Sequence, residues 1–267
     1  MTQTNAINRR KFLGRGASFL VGSLLGFNSL SRALACSKPR STSLLKPCIA
    51  LIIDDIGCSL CRARQFLEFG APITFSILPR LAKSELLAEK IHTLGHQIML
   101  HQPMEPTSAD IDPGPGALYV GDAAQKIIKI VEENIAVVPF AEGVNNHMGS
   151  KFTACQPAVQ DALQVIKESG LFFVDSLTTN RSEAYKTARE LHMPTACRNI
   201  FLDNHLEERA ILRQLDRLKK IALNYGHAIG IGHPFPETAR AIGLFLKHVL
   251  PKTGISLVYA SNLVPGA

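Results

Sequence analysis

Ile49-Ala50-Leu51-Ile52-Ile53-Asp54-Asp55-Ile56-Gly57 is the stretch that decides the fold. Five consecutive apolar residues, three of them β-branched, read as a strand buried on both faces, as in parallel α/β sheets. The run stops at two adjacent carboxylates and a glycine, so a core strand delivers two acids to its carboxyl end, where parallel α/β folds bind ligands and do chemistry. Adjacent carboxylates repel, and a cation or a shared proton offsets that repulsion. The plainer reading, that one of them caps the next helix, is left for the residues downstream to decide.

Outward from this strand, apolar runs and helical spacings alternate. Ile73–Leu78 reads as a strand, and Leu87, Ile91 and Leu94 recur at helical spacing before Gly95. Gln97–Leu100 reads as a short strand ending at His101. Asp122 opens a helix carrying Ile127, Ile128, Val131 and Ile135, and Pro157 opens another. Glu142–Asn145 leads into Asn146-His147, and Leu171–Val174, Asn199–Leu202, His227–Gly232 and Ile255–Tyr259 complete the strands. Alternation with short connections implies a parallel sheet, and roughly eight strands in a chain of this length suit a barrel better than an open sheet. The expected fold class is therefore α/β, a distorted (β/α) barrel. The segment from Pro106 to Gly121, with three prolines, three glycines and two aspartates, is expected to fold over the barrel mouth.

The net charge of +7 invites a nucleic-acid reading, but its distribution excludes one. Arg9, Arg10, Lys11, Arg15 and Arg32 all precede Cys36 in a stretch without a single acid, and the remaining body is nearly neutral. That stretch has a basic start, a short apolar run from Ala17 to Phe27 and Ala33-Leu34-Ala35 at its end. Residues 1–35 thus read as an export signal resembling the twin-arginine type, which places the mature protein in the periplasm or cell envelope. The apolar run is short for a membrane span. Membrane attachment would come only through the leader or through lipidation of Cys36. Residues 36–47 read as a linker and 48–267 as the folded domain. Cys58 and Cys61 have the spacing of a redox or metal motif, yet no second pair completes a zinc site, and they read as small, partly buried residues.

Asp54, Asp55, His101, Glu105, His147, Asp175 and His233 each follow a strand of this reading. In a barrel such ends share one rim, so residues far apart in sequence can meet. The strings Ile-Ile-Asp-Asp-Ile-Gly, His-Gln-Pro-Met-Glu, Pro-Gly-Pro-Gly-Ala-Leu, Asn-Asn-His-Met-Gly-Ser, Val-Asp-Ser and Gly-His-Pro, in this order, resemble the divergent branch of the NodB-type polysaccharide deacetylases. The resemblance covers about Cys48 to the C-terminus. It implies a distorted (β/α) barrel and metal-assisted removal of acetyl groups from carbohydrate.

Residue by residue, the resemblance makes Asp55 a metal ligand, Asp54 the catalytic base and His233 the general acid. His101 matches the first histidine of the family's metal motif, and Glu105 stands where the second belongs. His147 is the preferred third ligand, because an Asp/His/His set suits zinc or a neighbouring transition metal. Glu105, Asn146 and Asp175 are then expected to orient ligands, touch substrate or support the rim. The chain lacks tryptophan and the arginine that positions the base in the family. Two other readings stay open: a catalytically silent metal- and glycan-binding envelope protein, and a metal-dependent amidase with a non-sugar substrate.

Overall fold

The computed structural model describes residues 46–264. The export signal, Cys36 and the linker as far as residue 45 lie outside the described residues. Nine strands form one all-parallel curled sheet: β1 (Cys48–Ile56), β2 (Thr74–Ile77), β3 (Gln97–Met104), β4 (Ala141–Met148), β5 (Phe172–Asp175), β6 (Thr195–Cys197), β7 (Ile200–Phe201), β8 (His227–Gly232) and β9 (Ser256–Val258). The order is β6-β5-β4-β3-β2-β1-β8-β7, with β9 beside the start of β1. The ladder ends at β6 and β7, so the expected barrel is present but open between those two strands.

Seven α-helices connect the strands: α1 (Leu60–Leu67), α2 (Ser84–Thr93), α3 (Ala124–Ala136), α4 (Gln156–Glu168), α5 (Ala184–Glu190), α6 (Glu208–Tyr225) and α7 (Pro236–Leu244). Among the described residues no helix is long and apolar enough to cross a membrane.

Strand alternation sorts the side chains of β1 into two cores. Ile49, Leu51 and Ile53 pack outward against the helices, with Phe66, Phe75 and Leu218. Ala50 and Ile52 point inward with Met99, Val174, Ile229 and Ile231 to fill the barrel. Both faces of β1 are therefore dry, which is why its sequence reads as an unbroken apolar run. The bottom is sealed by the 3₁₀ turn Ala260–Leu263, where the Ala260 amide donates to Thr74 Oγ1 (3.0 Å) and the Ser261 amide to Gln97 Oε1 (3.1 Å). Function is thereby confined to the other, carboxyl-terminal end.

The structure departs from the sequence reading in three respects. His101 and His147 lie inside β3 and β4 rather than after them, because the pairing of these two strands runs on through Met104 and Met148. The short β6 has no counterpart in the sequence reading, because its three residues leave too little pattern to read. Cys58 and Cys61 are exposed, not partly buried.

The segment after Pro106 is tied to the exit of β3. Leu118 donates its amide to Pro103 O (3.0 Å), and both Gln102 Nε2 (3.0 Å) and Asn134 Nδ2 (2.8 Å) donate to Gly116 O. Gly116 has φ +76°, and a Cβ there would meet Asn134 Oδ1 at 2.5 Å, so glycine is required on two counts.

Candidate metal centre and its surroundings

Alternation along a strand sends neighbouring side chains to opposite faces, yet Asp54 and Asp55 both reach the rim. The cause is local: Asp55 has φ +58°, and the β1–β2 register shifts between Ile53 and Ile56. A non-glycine residue in this region costs about 1–2 kcal/mol, and Met148 (φ +54°) and Leu177 (φ +47°) adopt it too at the exits of β4 and β5. Strain of this kind collects where side chains must be aimed.

Asp55 Oδ1 lies 3.2 Å from His101 Nε2 and 3.0 Å from His147 Nδ1, and the two nitrogens are 3.2 Å apart. The Oδ1 atom is buried and forms no hydrogen bond among the described residues. Ligands held 2.0–2.2 Å from a tetrahedral zinc stand about 3.4 Å from one another, so a widening of a few tenths of an ångström seats an ion among these three atoms. Asp55, His101 and His147 thus form a group able to hold a metal ion. Burial works against ionisation of Asp55, but the charge of His147, the close imidazole contacts of His101 and His147, and the charge of His233 outweigh it and hold the carboxyl well below the usual range. Burial also opposes charge on His101, and the fields of Asp54 and Asp55 raise its pKa nonetheless.

Asp54 is almost fully buried; its Oδ1 accepts from Asn145 Nδ2 (2.8 Å), and its Oδ2 lies 3.6 Å from His101 Nε2. Glu105 does not join the triad. Its Oε1 accepts from Lys151 Nζ (2.7 Å) and its Oε2 from the Val120 amide (2.8 Å), so it pins the Pro106–Gly121 segment to the exit of β4. Asn146 also faces away, donating to Met148 O (2.8 Å) and accepting from the Ser176 amide (2.9 Å). Asp175 is buried, and burial raises its pKa. It accepts from Ser182 Oγ (2.7 Å) and the amides of Leu177 (2.8 Å) and Tyr185 (3.1 Å), shaping the turn after β5.

After β8, the strand paired with β1, His233 pairs with Asp203. The imidazole Nδ1 donates to Asp203 Oδ1 (2.9 Å), while Asp203 Oδ2 accepts from the His233 amide (2.6 Å) and Thr238 Oγ1 (2.8 Å). Burial opposes charge on His233, but Asp203, with Asp55 and Asp54 behind it, pushes its pKa up to about 10. Phe201 stacks on the imidazole at 6.0 Å and Phe235 lies at 6.1 Å, so two aromatic rings flank it.

Three residues of this neighbourhood were missed by the sequence reading. Asn145 could have been found, since period-two alternation places it, and not Asn146, on the face of His147. Asp203 ends a strand as the chosen acids do. Arg198 follows the unread β6 and left no signal. Its buried guanidinium donates to Ser176 O (2.6 Å) and Leu177 O (2.9 Å) and lies 3.7 Å over the Phe201 ring. Burial pushes its pKa down to about 10, and its charge reaches Asp175 and Asp54.

The sequence profile of divergent polysaccharide deacetylases matches residues 51–264. The chain belongs to this family. The chain is 32% identical to the uncharacterized protein YibQ of Escherichia coli strain K12, over 87% of this chain and 72% of that protein. It is similar to the crystal structure of the uncharacterized protein ATU2773 from Agrobacterium tumefaciens C58, with TM-score 0.78, 27% identity and coverage of 87% and 94% of the two chains. The fold is also that of the catalytic domain of peptidoglycan N-acetylglucosamine deacetylase from Eubacterium rectale ATCC 33656, with TM-score 0.53 and 9% identity over 87% and 97%. The chain therefore shares the NodB-type barrel, while its sequence is far from that of the Eubacterium rectale enzyme.

Proposed function

We propose that this divergent deacetylase is an exported, metal-dependent hydrolase that removes acetyl groups from cell-envelope carbohydrate. The observation that carries the reading is the meeting of Asp55, His101 and His147 within 3.0–3.2 Å of one another, on a rim that also bears Asp54 and an Asp203-bound His233. Asp55, His101 and His147 would hold the ion, and two imidazoles with one carboxylate favour zinc over magnesium or calcium. A divalent ion in that place supplies Lewis acidity toward an acyl carbonyl and toward water.

The remaining chemistry belongs to the chain. Asn145 occupies Oδ1 of Asp54, leaving Oδ2 to take a proton from the attacking water. With Nδ1 committed to Asp203, His233 offers Nε2–H to the departing nitrogen or oxygen. A pKa near 10 keeps it protonated at neutral pH, ready to donate. Phe235, beside His233, supplies aromatic surface for a sugar face in a chain without tryptophan. The leader read in residues 1–35 brings the enzyme to its polymer.

Acetate release from N-acetylated chitooligosaccharides and from peptidoglycan, with zinc-loaded wild type and Asp55→Ala, tests the proposal. Release by wild type alone supports it. Stoichiometric zinc without acetate from any glycan overturns it in favour of a silent glycan-binding protein or an amidase.

A further inference from the structure

Between the metal triad and Asp54 sits one carboxamide that touches both. Asn145 is fully buried on β4; its Oδ1 is 2.7 Å from His101 Nδ1 and its Nδ2 is 2.8 Å from Asp54 Oδ1. The two ends of an amide are chemically unlike: the oxygen only accepts and the nitrogen only donates. In this orientation His101 carries its proton on Nδ1, leaving the Nε2 lone pair aimed at Asp55 Oδ1 and His147 Nδ1. The same orientation demands an unprotonated oxygen on Asp54. Flipping the amide would reverse both demands, placing a proton on His101 Nε2, where it blocks ligation, and another on Asp54.

We propose that Asn145 is a positioning residue that couples the two functions of the site: its oxygen fixes the ligating tautomer of His101, and its nitrogen fixes Asp54 as a proton acceptor. The inference rests on the metal-hydrolase reading above, but its first arm is read without turnover. Partners that orient a metal-binding histidine contribute about 10- to 100-fold to metal affinity. A neutral, unbranched amide does this without adding charge to a pocket that already holds two carboxylates, which a carboxylate in its place would not.

Two variants separate the arms. Asn145→Asp, when ionised, keeps an oxygen that accepts from His101 and cannot donate to Asp54, so the assays are run above the pH at which the two carboxylates share a proton, and Asn145→Ala loses both. By calorimetric zinc titration, Asn145→Ala is expected to bind zinc about 10- to 100-fold more weakly than wild type, and Asn145→Asp at least as tightly as wild type. Nitrogen-15 NMR of the zinc-loaded protein should show His101 protonated on Nδ1 in wild type and Asn145→Asp. Acetate release should fall in both variants, although Asn145→Asp is fully metallated.

Equal zinc affinity of wild type and Asn145→Ala, or a His101 proton found on Nε2 in the wild-type complex, overturns the first arm. Wild-type turnover by Asn145→Asp overturns the second. Absence of zinc binding by wild type itself is a different outcome, because it overturns the metal reading on which the inference rests. Circular dichroism melting of each variant accompanies the titrations, so that a weaker titration is attributed to Asn145 only in a folded protein.

Discussion

On the β7/β8 side of the rim, Asp203 meets every requirement of a buried carboxylate from within the chain: Nδ1 of His233 on one oxygen, a backbone amide and Thr238 on the other. On the β1/β3/β4 side, Asp55 Oδ1 is buried between two imidazole nitrogens and forms no hydrogen bond among the described residues. Both assemblies are built of the same residue types. A buried acceptor without a partner costs about 1–3 kcal/mol, so the first assembly is finished by the protein and the second calls for a cation. The pair holds a proton on His233, and the triad offers lone pairs.

The comparison breaks most sharply at Asp55. Asp55→Ala removes a ligand and the buried charge, and zinc measured by mass spectrometry after dialysis should fall to background. Acetate release should fall at least as far as on losing a general acid or base, roughly 10⁴-fold. Retained zinc in this variant would mean that the triad is not the ion's seat. Next in size is His233→Gln, which should lower turnover by about 10²–10⁴-fold while zinc content stays at wild type. If zinc fell together with turnover, the two sides of the rim would not be separate devices.

The division was only partly legible in the sequence. Asp54 and Asp55 were found because β1 is buried on both faces and stops abruptly, and His101, His147 and His233 because imidazoles are conspicuous near strand ends. The parallel barrel followed from alternation, and the structure has it, opened between β6 and β7. Faces within strands were harder to read. Reading His101 and His147 as lying beyond their strands removed the alternation that distinguishes Asn145 from Asn146. Glu105, which stands where the family's second metal histidine belongs, was expected to orient a ligand or touch substrate, whereas its actual partners, Lys151 and the Val120 amide, come from folding of the long segment after Pro106. Arg198 depends on a three-residue strand that carries no pattern of its own.

A smaller effect tests the finished side. Asp203→Asn leaves His233 without its counter-charge, and removing one partner of a buried ion pair costs about 3 kcal/mol. The sign with pH follows from His233, whose pKa of about 10 in the folded chain exceeds the ordinary imidazole value near 6.5. Stabilisation from such a group is complete below about pH 6.5 and is lost as pH rises through about 10. Urea unfolding should therefore show the widest gap between wild type and Asp203→Asn near pH 6, narrowing steadily toward pH 10. A gap that widens with pH would mean that His233 is neutral in the folded protein.

The smallest expected effect comes from Thr238→Val, which keeps the shape of a fully buried side chain and removes only the hydroxyl donated to Asp203 Oδ2 (2.8 Å). That oxygen retains the His233 amide at 2.6 Å, so no acceptor is orphaned and the loss should be about 1 kcal/mol. Turnover should stay near wild type, because the bond that orients the imidazole runs to the other oxygen of Asp203. The bond from Nδ2 of Asn145 to Asp54 is of the same length, yet its loss is expected to reach the chemistry, because there a single amide orients a proton acceptor and a ligand at once. If Thr238→Val lowered turnover as far as Asn145→Asp does, hydrogen bonds on both sides of the rim would be equally critical, and the distinction between a self-sufficient pair and a cation-dependent triad would fail.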